Sequence, residues 1–221
     1  MLYIVPTPIG NLEDITLRAL RILKEVDLIL AEDTRQTYKL LSHYSINTKL
    51  QPYHKFNERK SVDQILNLLE AGKTIALVSD SGTPCISDPG YILIKACVEQ
   101  NLIVDCLPGP SAFVPAIVKS GFDSSEFVFL GFLPHKKGRE TMIKQIAEEN
   151  KMVILYESPY RVVKFLEQSL PFIGDKRMIS ISRELSKKFE ETINGTIPEL
   201  LEHYKQKEAR GEYVIVIDKI N

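Results

Sequence analysis

The chain has 221 residues, of which 44% are hydrophobic and 26% are charged. This length fits one large domain or two compact ones, and the composition excludes an intrinsically disordered chain. With 28 Lys and Arg against 29 Asp and Glu, the formal net charge is −1. A uniformly basic nucleic-acid coat is therefore excluded, and any contact with RNA or DNA has to use a local basic patch.

Cysteine content and apolar runs restrict the class of protein further. Cys85, Cys97 and Cys106 form an odd set without CxxC spacing, which argues against a disulfide scaffold and a cysteine zinc site. The four histidines are scattered without HExxH spacing. No window reaches the ~18 apolar residues of a membrane span, and the first residues do not resemble a signal peptide. We therefore expect a soluble, cytoplasmic protein without a metal site.

Short β-rich runs alternate with helical periods over the first half of the chain. The predicted strands are 2–6, 28–32, 74–79 and 102–106, and the predicted helices are 15–26, 34–43, 61–71, 91–100 and a last one that ends before Gly121. Strands separated by helices predict an α/β domain with a mainly parallel, wound sheet over residues 1–121.

The second half of the chain has a different pattern, with strands that follow one another more closely. The predicted strands are 127–133, 152–157, 178–182, 189–195 and 212–218, and the predicted helices are 137–149, 159–168 and 198–207. This order predicts a second α/β domain over residues 122–221 with a mixed sheet that includes antiparallel pairs.

Loops rich in Gly, Pro, Ser and Asp follow each predicted strand of the first domain. They are 6–11, 32–35, 108–112 and the long loop 79–90, with the sequence SDSGTPCISDPG. Ligands of wound sheets bind at the carboxyl ends of strands, so these loops together predict a single cleft. The same residue types are ordinary turn formers and helix caps, and their spacing alone does not exclude that simpler interpretation.

Charged groups also follow the strands of the second half. Tyr156–Arg161 and Arg183–Glu191 come directly after predicted strands, and His135–Arg139 forms a short basic loop. Arg and Lys are the usual partners of phosphate oxygens, although from the sequence alone a solvated linker is the favoured interpretation of the basic loop. Two common motifs are absent from the sequence. Gly72-Lys73-Thr74 resembles the end of a nucleotide-binding P-loop but lacks its first glycine, and residues 109–113 do not match the GxSxG motif of hydrolases.

Seven segments in order resemble one known family. They are PTPIGNLEDIT, AEDTR, VSDSGTPCISDPG, PGPSA, GFLP, YESPYR and SRELSKKFEETINGT, and they span nearly the whole chain. Together they resemble the cytidine 2′-O-methyltransferases of ribosomal small-subunit RNA, which belong to the tetrapyrrole-methylase-like S-adenosylmethionine (SAM) superfamily. Tyr160 and Ser186 depart from the usual His and Thr of two of these motifs.

The resemblance implies two α/β domains with SAM in the cleft between them, a homodimer, and small-subunit rRNA or the assembled 30S subunit as substrate. It implies cofactor contacts at Pro8, Asp80, Ser81, Gly82, Thr83, Ile86, Ser111, Ala112, Tyr156, Glu157 and Leu185. The catalytic candidates are Asp33 as base or orienting group, Glu157 as second choice, and Arg183 near the methyl-transfer point. The predicted RNA contacts are Arg35, Lys136, Lys137, Arg139, Arg161 and Lys187.

Two other functions remain open at this point. One is a small-molecule methylase of the same fold, acting on a tetrapyrrole or on diphthine, although such members typically carry GGDP where this chain has Ser81–Pro84. The other is a non-catalytic RNA-binding assembly factor that keeps the cofactor fold, because a fold alone does not establish chemistry.

Overall fold

The computed structural model describes residues 1–206 and 209–220, and these form two compact α/β units. The units are Met1–Ser111 and Ala112–Asn221. The division lies ten residues before the predicted boundary at 121, because the helix Phe113–Ser120 packs on strands of the second unit. No helix among the described residues is long and apolar enough to cross a membrane.

The first unit is a wholly parallel five-stranded sheet with four α-helices. Its strands are β1 (Leu2–Ile4), β2 (Leu28–Ala31), β3 (Leu50–Pro52), β4 (Ile75–Val78) and β5 (Val104–Cys106), and its helices are α1 (Leu17–Glu25), α2 (Thr34–His43), α3 (Glu58–Glu70) and α4 (Tyr91–Glu99). The strand order is β3-β2-β4-β1-β5, and every pair is parallel. The predicted wound sheet is confirmed, whereas β3 was not predicted.

Alternate residues of the buried strands face opposite helical layers. Leu28 and Leu30 of β2 pack with α3 and α4, whereas Ile29 and Ala31 pack with α1 and α2. Helix α1 begins after Thr16, whose hydroxyl accepts a hydrogen bond from the Ala19 amide at 3.0 Å. The sheet is therefore doubly wound, with two helices on each face.

Strands β1 and β4 are neighbours, but the chain leaves them toward opposite faces of the sheet. After β1 it runs to α1, and after β4 it runs to α4. Such a switch in direction opens a crevice outside the carboxyl ends of the two strands, where α/β proteins bind ligands. The loops after β1 and β4 therefore occupy the position at which a ligand is expected.

The second unit has a mixed sheet. Its strands are β6 (Phe127–Phe132), β7 (Met152–Glu157), β8 (Met178–Arg183), β9 (Glu191–Thr196) and β10 (Tyr213–Ile217), and its helices are α5 (Phe113–Ser120), α6 (Arg139–Glu148), α7 (Pro159–Ile173) and α8 (Ile197–Gln206). The order is β6-β7-β10-β8-β9, with β6 and β7 parallel and the other pairs antiparallel. The predicted mixed sheet is confirmed; Lys207, the last residue of the predicted final helix, lies outside the described residues.

Opposite faces of this second sheet are covered by different helices. Val153 and Leu155 of β7 pack with α6, α7 and α8 in the main core of the unit. Tyr156 points to the other face, where the centre of its ring lies 5.0 Å from the centre of the Phe129 ring. The Phe129 ring lies 4.9 Å from the ring of Phe113 on α5. In the β ladder, Tyr213 pairs with both Glu157 and Arg183. The ends of β7 and β8 therefore share one edge of the sheet.

Candidate functional site

Three loops meet at the carboxyl edge of the first sheet. Thr7 and Gly82 form a two-way backbone bridge with N···O distances of 2.9 and 3.0 Å, which joins the loops after β1 and β4. The Thr83 hydroxyl donates to the Pro110 carbonyl at 3.0 Å and so ties in the loop after β5. The prediction that these loops share one edge is confirmed, and loops 6–11, 79–90 and 108–112 form one connected surface.

The loop 79–90 holds an unusual backbone conformation. Cys85 and Ser87 both have φ of +72°, in the left-handed region that non-glycine residues rarely adopt. Gly90 has φ of +135°, and a Cβ atom at this position would lie 2.4 Å from the Cys85 sulfur. Strain of this kind persists only where the surroundings impose it, and it concentrates at ligand-binding sites.

Gly82 is a predicted cofactor contact, and in the structure its backbone conformation shapes the loop. Its φ of +78° requires glycine, but a Cβ there would lie 3.5 Å from Ile9 Cγ2 and 3.7 Å from the Pro110 oxygen. A Cβ at Gly82 would therefore make ordinary contacts with neighbouring loops of the protein, and the strain of a substitution would come from the backbone. The glycine shapes the loop by its backbone, and its neighbours Asp80 and Ser81 are the exposed groups.

The other predicted cofactor contacts differ in accessibility. Pro8, Thr83, Ser111, Ala112 and Tyr156 are half-buried. Ile86 has 37% of its surface exposed, so it offers an apolar side chain beside Asp80 and Ser81 in the same loop. Leu185 is buried and presents little of its side chain.

Two carboxylates follow neighbouring strands and have raised pKa values. Desolvation raises the pKa of Glu32 above its ordinary value, and the negative charge of Asp80 raises it further. Desolvation likewise raises the pKa of Asp80, although the hydrogen bond from the Asp33 amide opposes this effect. Carboxylates whose pKa is raised are better proton acceptors than ordinary ones, because they hold a proton more tightly. Glu32 was not among the predicted catalytic residues.

Asp33, the leading catalytic candidate from the sequence, is held by Arg35 at the start of α2. Its carboxylate accepts bonds from the Arg35 amide at 2.8 Å, from Nε at 3.0 Å and from Nη2 at 2.6 Å. These contacts lower the pKa of Asp33 to about 2. Its own amide donates to Asp80 Oδ1 at 3.0 Å, so Asp33 links the loops after β2 and β4. The Arg35 side chain is largely exposed beyond this pair.

In the second unit, Glu157 lies at the centre of a buried ion-pair cluster. Its carboxylate accepts hydrogen bonds at 2.8 Å from Arg139 Nη2 and from the Ser158 amide, and it forms an ion pair with Arg161 Nη2, also at 2.8 Å. The side chains of Glu157 and Arg139 are only 1% and 5% exposed. Arg139 also donates to Gln168 Oε1 at 3.0 Å. Glu157 and Arg139 therefore balance each other's charge inside the second unit, and their burial needs no ligand or RNA to explain it.

The remaining basic candidates of the second unit divide into paired and exposed groups. Arg183 donates from Nε to Glu191 Oε2 at 2.8 Å, and Lys187 Nζ lies 3.0 Å from Glu184 Oε1 and 2.9 Å from Glu212 Oε2. Lys136 and Lys137 are exposed on the loop after β6. Of the predicted RNA contacts in the basic loop, Lys136 and Lys137 are exposed, whereas Arg139 is buried.

Solved structures define the class of fold. The chain superimposes on the methyltransferase CobJ with a TM-score of 0.73, covering 99% of this chain and 93% of that one at 16% identity. Uroporphyrin-III C-methyltransferase from Thermus thermophilus gives a TM-score of 0.70, covering 98% and 96% at 16% identity. Both comparisons show a two-unit α/β methyltransferase fold. The chain belongs to the tetrapyrrole (corrin/porphyrin) methylase family, whose model matches residues 1–201.

Sequence relatives narrow the family further. The chain is 47% identical over 216 residues to "Ribosomal RNA small subunit methyltransferase I" of Thermotoga maritima, covering 98% of this chain and 97% of that protein. It is 46% identical over 220 residues to the protein of the same name from Escherichia coli O157:H7, covering 98% and 77%. The relative from Hydrogenobaculum sp. is 45% identical over 223 residues, covering 100% and 96%. The predicted family and the predicted enzyme class, a methyltransferase, are confirmed.

Proposed function

We propose that this protein transfers the methyl group of SAM to the ribose 2′-hydroxyl of a cytidine in the decoding region of small-subunit rRNA. The observation that carries the proposal is the 43–47% identity, over at least 98% of the chain, to proteins named ribosomal RNA small subunit methyltransferase I. The tetrapyrrole methyltransferases share the fold at only 16% identity, so they support the architecture and not a tetrapyrrole substrate. Because the substrate in this proposal is ribosomal, a cytoplasmic location belongs to the same proposal.

The side chains at the carboxyl edge of the first sheet fit SAM. Asp80 is an exposed carboxylate, Ser81 adds a hydroxyl, and Ile86 adds an apolar surface. Carboxylates accept hydrogen bonds from ribose hydroxyls and from an ammonium group, and an aliphatic side chain suits the face of an adenine ring. When bound, SAM supplies a methyl group that its positively charged sulfur has already activated, so the reaction needs no metal.

Proton acceptance by the protein is best assigned to Glu32. The attacking hydroxyl has to lose or share its proton, and a group with a raised pKa accepts it more readily than one whose pKa is lowered. Burial and Asp80 raise the pKa of Glu32, whereas Arg35 lowers that of Asp33 to about 2. Glu32 therefore serves as the acceptor, and Asp33 keeps the role of orienting Arg35 and the loop after β4.

Contact with RNA on the second unit is assigned to Lys136 and Lys137. Both are exposed, whereas Arg139, Arg161 and Lys187 already have internal carboxylate partners. Exposed lysines act as point charges for phosphates. Replacing both by Gln should weaken rRNA binding and flatten its salt dependence by roughly 0.7–0.9 log units per phosphate contact. A homodimer belongs to the same proposal and is checked by sedimentation with and without SAM.

The proposal is tested by methyl transfer from labelled SAM to 30S subunits, naked small-subunit rRNA and a tetrapyrrole precursor. We expect label in the 30S subunit or its rRNA, with the modified ribose resistant to alkaline cleavage at a cytidine. Glu32→Gln should lower kcat with little change in SAM affinity, and Asp33→Asn should do so less. Glu99→Gln, an exposed carboxylate on α4, is the matched control. Transfer only to the tetrapyrrole, or transfer to no substrate, would refute the proposal.

A further inference from the structure

Strand β3 ends in a tight turn that presents an aromatic ring to solvent. Phe56 is 81% exposed, which is unusual for so large an apolar side chain. The ammonium of Lys55 lies 5.0 Å from the centre of the Phe56 ring, and the His54 ring lies 6.0 Å from it. We refer to residues 53–57 as the Phe56 turn. It belongs to none of the sites described above.

The Phe56 turn is held in one conformation by Asn57. The Asn57 side-chain oxygen accepts a bond from the His54 amide at 2.8 Å, and its side-chain nitrogen donates to the Pro52 carbonyl at 3.0 Å. The Asn57 amide also donates to the His54 carbonyl at 2.9 Å. The backbone of the turn is therefore held in the conformation that carries Phe56 on its exposed side, and such preorganisation lowers the cost of binding.

This turn lies beside the group proposed to accept the proton. Ala31 and Pro52 are paired in the sheet, and the Tyr53 amide donates to the Ala31 carbonyl at 2.8 Å. The residue after Ala31 is Glu32, and the positive charge of Lys55 lowers the pKa of its carboxylate against the larger, opposite effect of burial. The Phe56 turn and Glu32 therefore follow paired strands and lie at the same, carboxyl edge of the first sheet.

The charges around Phe56 select for an anionic partner. Lys55, Arg59 and Lys60 are exposed, and the carboxylate among them, Glu58, is half-buried. Single-stranded nucleic acid carries both features that match this surface, a phosphate for the cations and a flat base for the ring. A duplex offers phosphates without a free base face, so it matches only half of the surface.

We propose that the Phe56 turn binds one unpaired nucleotide of the substrate RNA, with Phe56 stacking on its base and Lys55 contacting its phosphate. The inference rests on the proposed function, since it identifies part of the substrate as unpaired RNA beside Glu32. It adds a contact that supports binding and positioning, and Phe56 takes no part in the chemical step.

The test measures the affinity of a short labelled single-stranded RNA, and of the same strand annealed to its complement, across a salt series. Phe56→Ala should weaken single-strand binding about 5-fold to 100-fold, since stacking on an aromatic side chain accounts for that range. Phe56→Tyr should retain binding. Lys55→Gln should lower the salt slope by roughly 0.7. Binding of the duplex should change little in Phe56→Ala.

Two control variants lie at the opposite, amino edge of the same sheet. Lys49→Gln removes an exposed charge at the other end of β3, and Ile103→Ala removes a 65% exposed apolar side chain before β5. Both should bind the single strand as the parent does. Parent-like affinity of Phe56→Ala, or an equal loss for duplex and single strand, would overturn the stacking site.

Methyl transfer by the parent protein separates this inference from the proposed function. A parent that methylates 30S subunits while Phe56→Ala binds RNA normally refutes only the Phe56 turn. A parent that transfers no methyl group to rRNA refutes the proposed function, whatever the variants bind.

Discussion

Glu157 provides a direct test of whether a residue in a family motif acts on a ligand or holds the fold. Its carboxylate is shared by Arg139, Arg161 and the Ser158 amide, all at 2.8 Å. Glu157→Gln keeps the shape of the side chain, removes its charge and places an N–H group against one of its donors. Both guanidinium groups then lose their counter-charge in a largely buried site.

The expected cost follows from that burial. Removing one partner of a buried ion pair typically destabilises a protein by about 3–5 kcal/mol, because the other charge stays desolvated without compensation. With an m-value of about 2 kcal/mol per M urea for a unit of this size, the unfolding midpoint should fall by about 2 M. Glu140→Gln breaks the exposed Glu140–Lys144 pair on α6, and it should cost at most about 1 kcal/mol.

The assay is urea unfolding followed by far-UV circular dichroism, with SAM affinity measured on the folded variants by calorimetry. Glu157→Gln should shift the midpoint strongly, and any loss of SAM affinity should follow the fraction unfolded. If Glu157→Gln unfolds at the parent's urea concentration but no longer binds SAM, the structural interpretation is wrong and Glu157 contacts the ligand.

Two further predictions concern the first unit. Gly90→Ala would place a methyl group against the Cys85 sulfur, so it should lower the melting temperature. The loss should be clearly larger than for Gly72→Ala, whose added methyl group meets open space. Equal shifts in calorimetry would contradict this. Arg35→Ala should raise the pKa of Asp33 from about 2 toward 3.8, as followed by carboxyl NMR. Because that pKa is lowered in the folded state, Asp33 contributes stability near neutral pH that is lost as pH falls through about 2, and the variant should lose this contribution.

The sheet architecture was predictable because its strands are buried on both faces and read as continuous apolar runs. Strands such as Ile75–Val78 and Met152–Glu157 were predicted to within a residue. Strand β3 was missed because Leu50-Gln51-Pro52 is short, partly polar and ends in proline, which is tolerated at the edge of a sheet but does not indicate a strand. The Phe56 turn was missed with it.

The position of the candidate site was more predictable than the roles of its residues. Strand ends share an edge in any parallel sheet, so the joining of Thr7, Gly82 and Pro110 follows from topology. Roles depend on partners that are distant in sequence. Arg139 lies in a basic run of the sequence, but its guanidinium donates to Glu157, which is eighteen residues later. No local sequence pattern distinguishes such a buried arginine from one that binds phosphate.

The place of β1 in the first sheet has a consequence for how the chain folds as it is made. Leu2–Ile4 is synthesised long before its two neighbours in the sheet, which are Ile75–Leu77 and Val104–Cys106. Pairings between such distant segments form late, because closing the long intervening chain costs entropy before any contact compensates for it. On the nascent chain, Leu2–Ile4 therefore stays without its full set of sheet neighbours until residue 106 has emerged, and an unpaired apolar strand is prone to aggregate during that time.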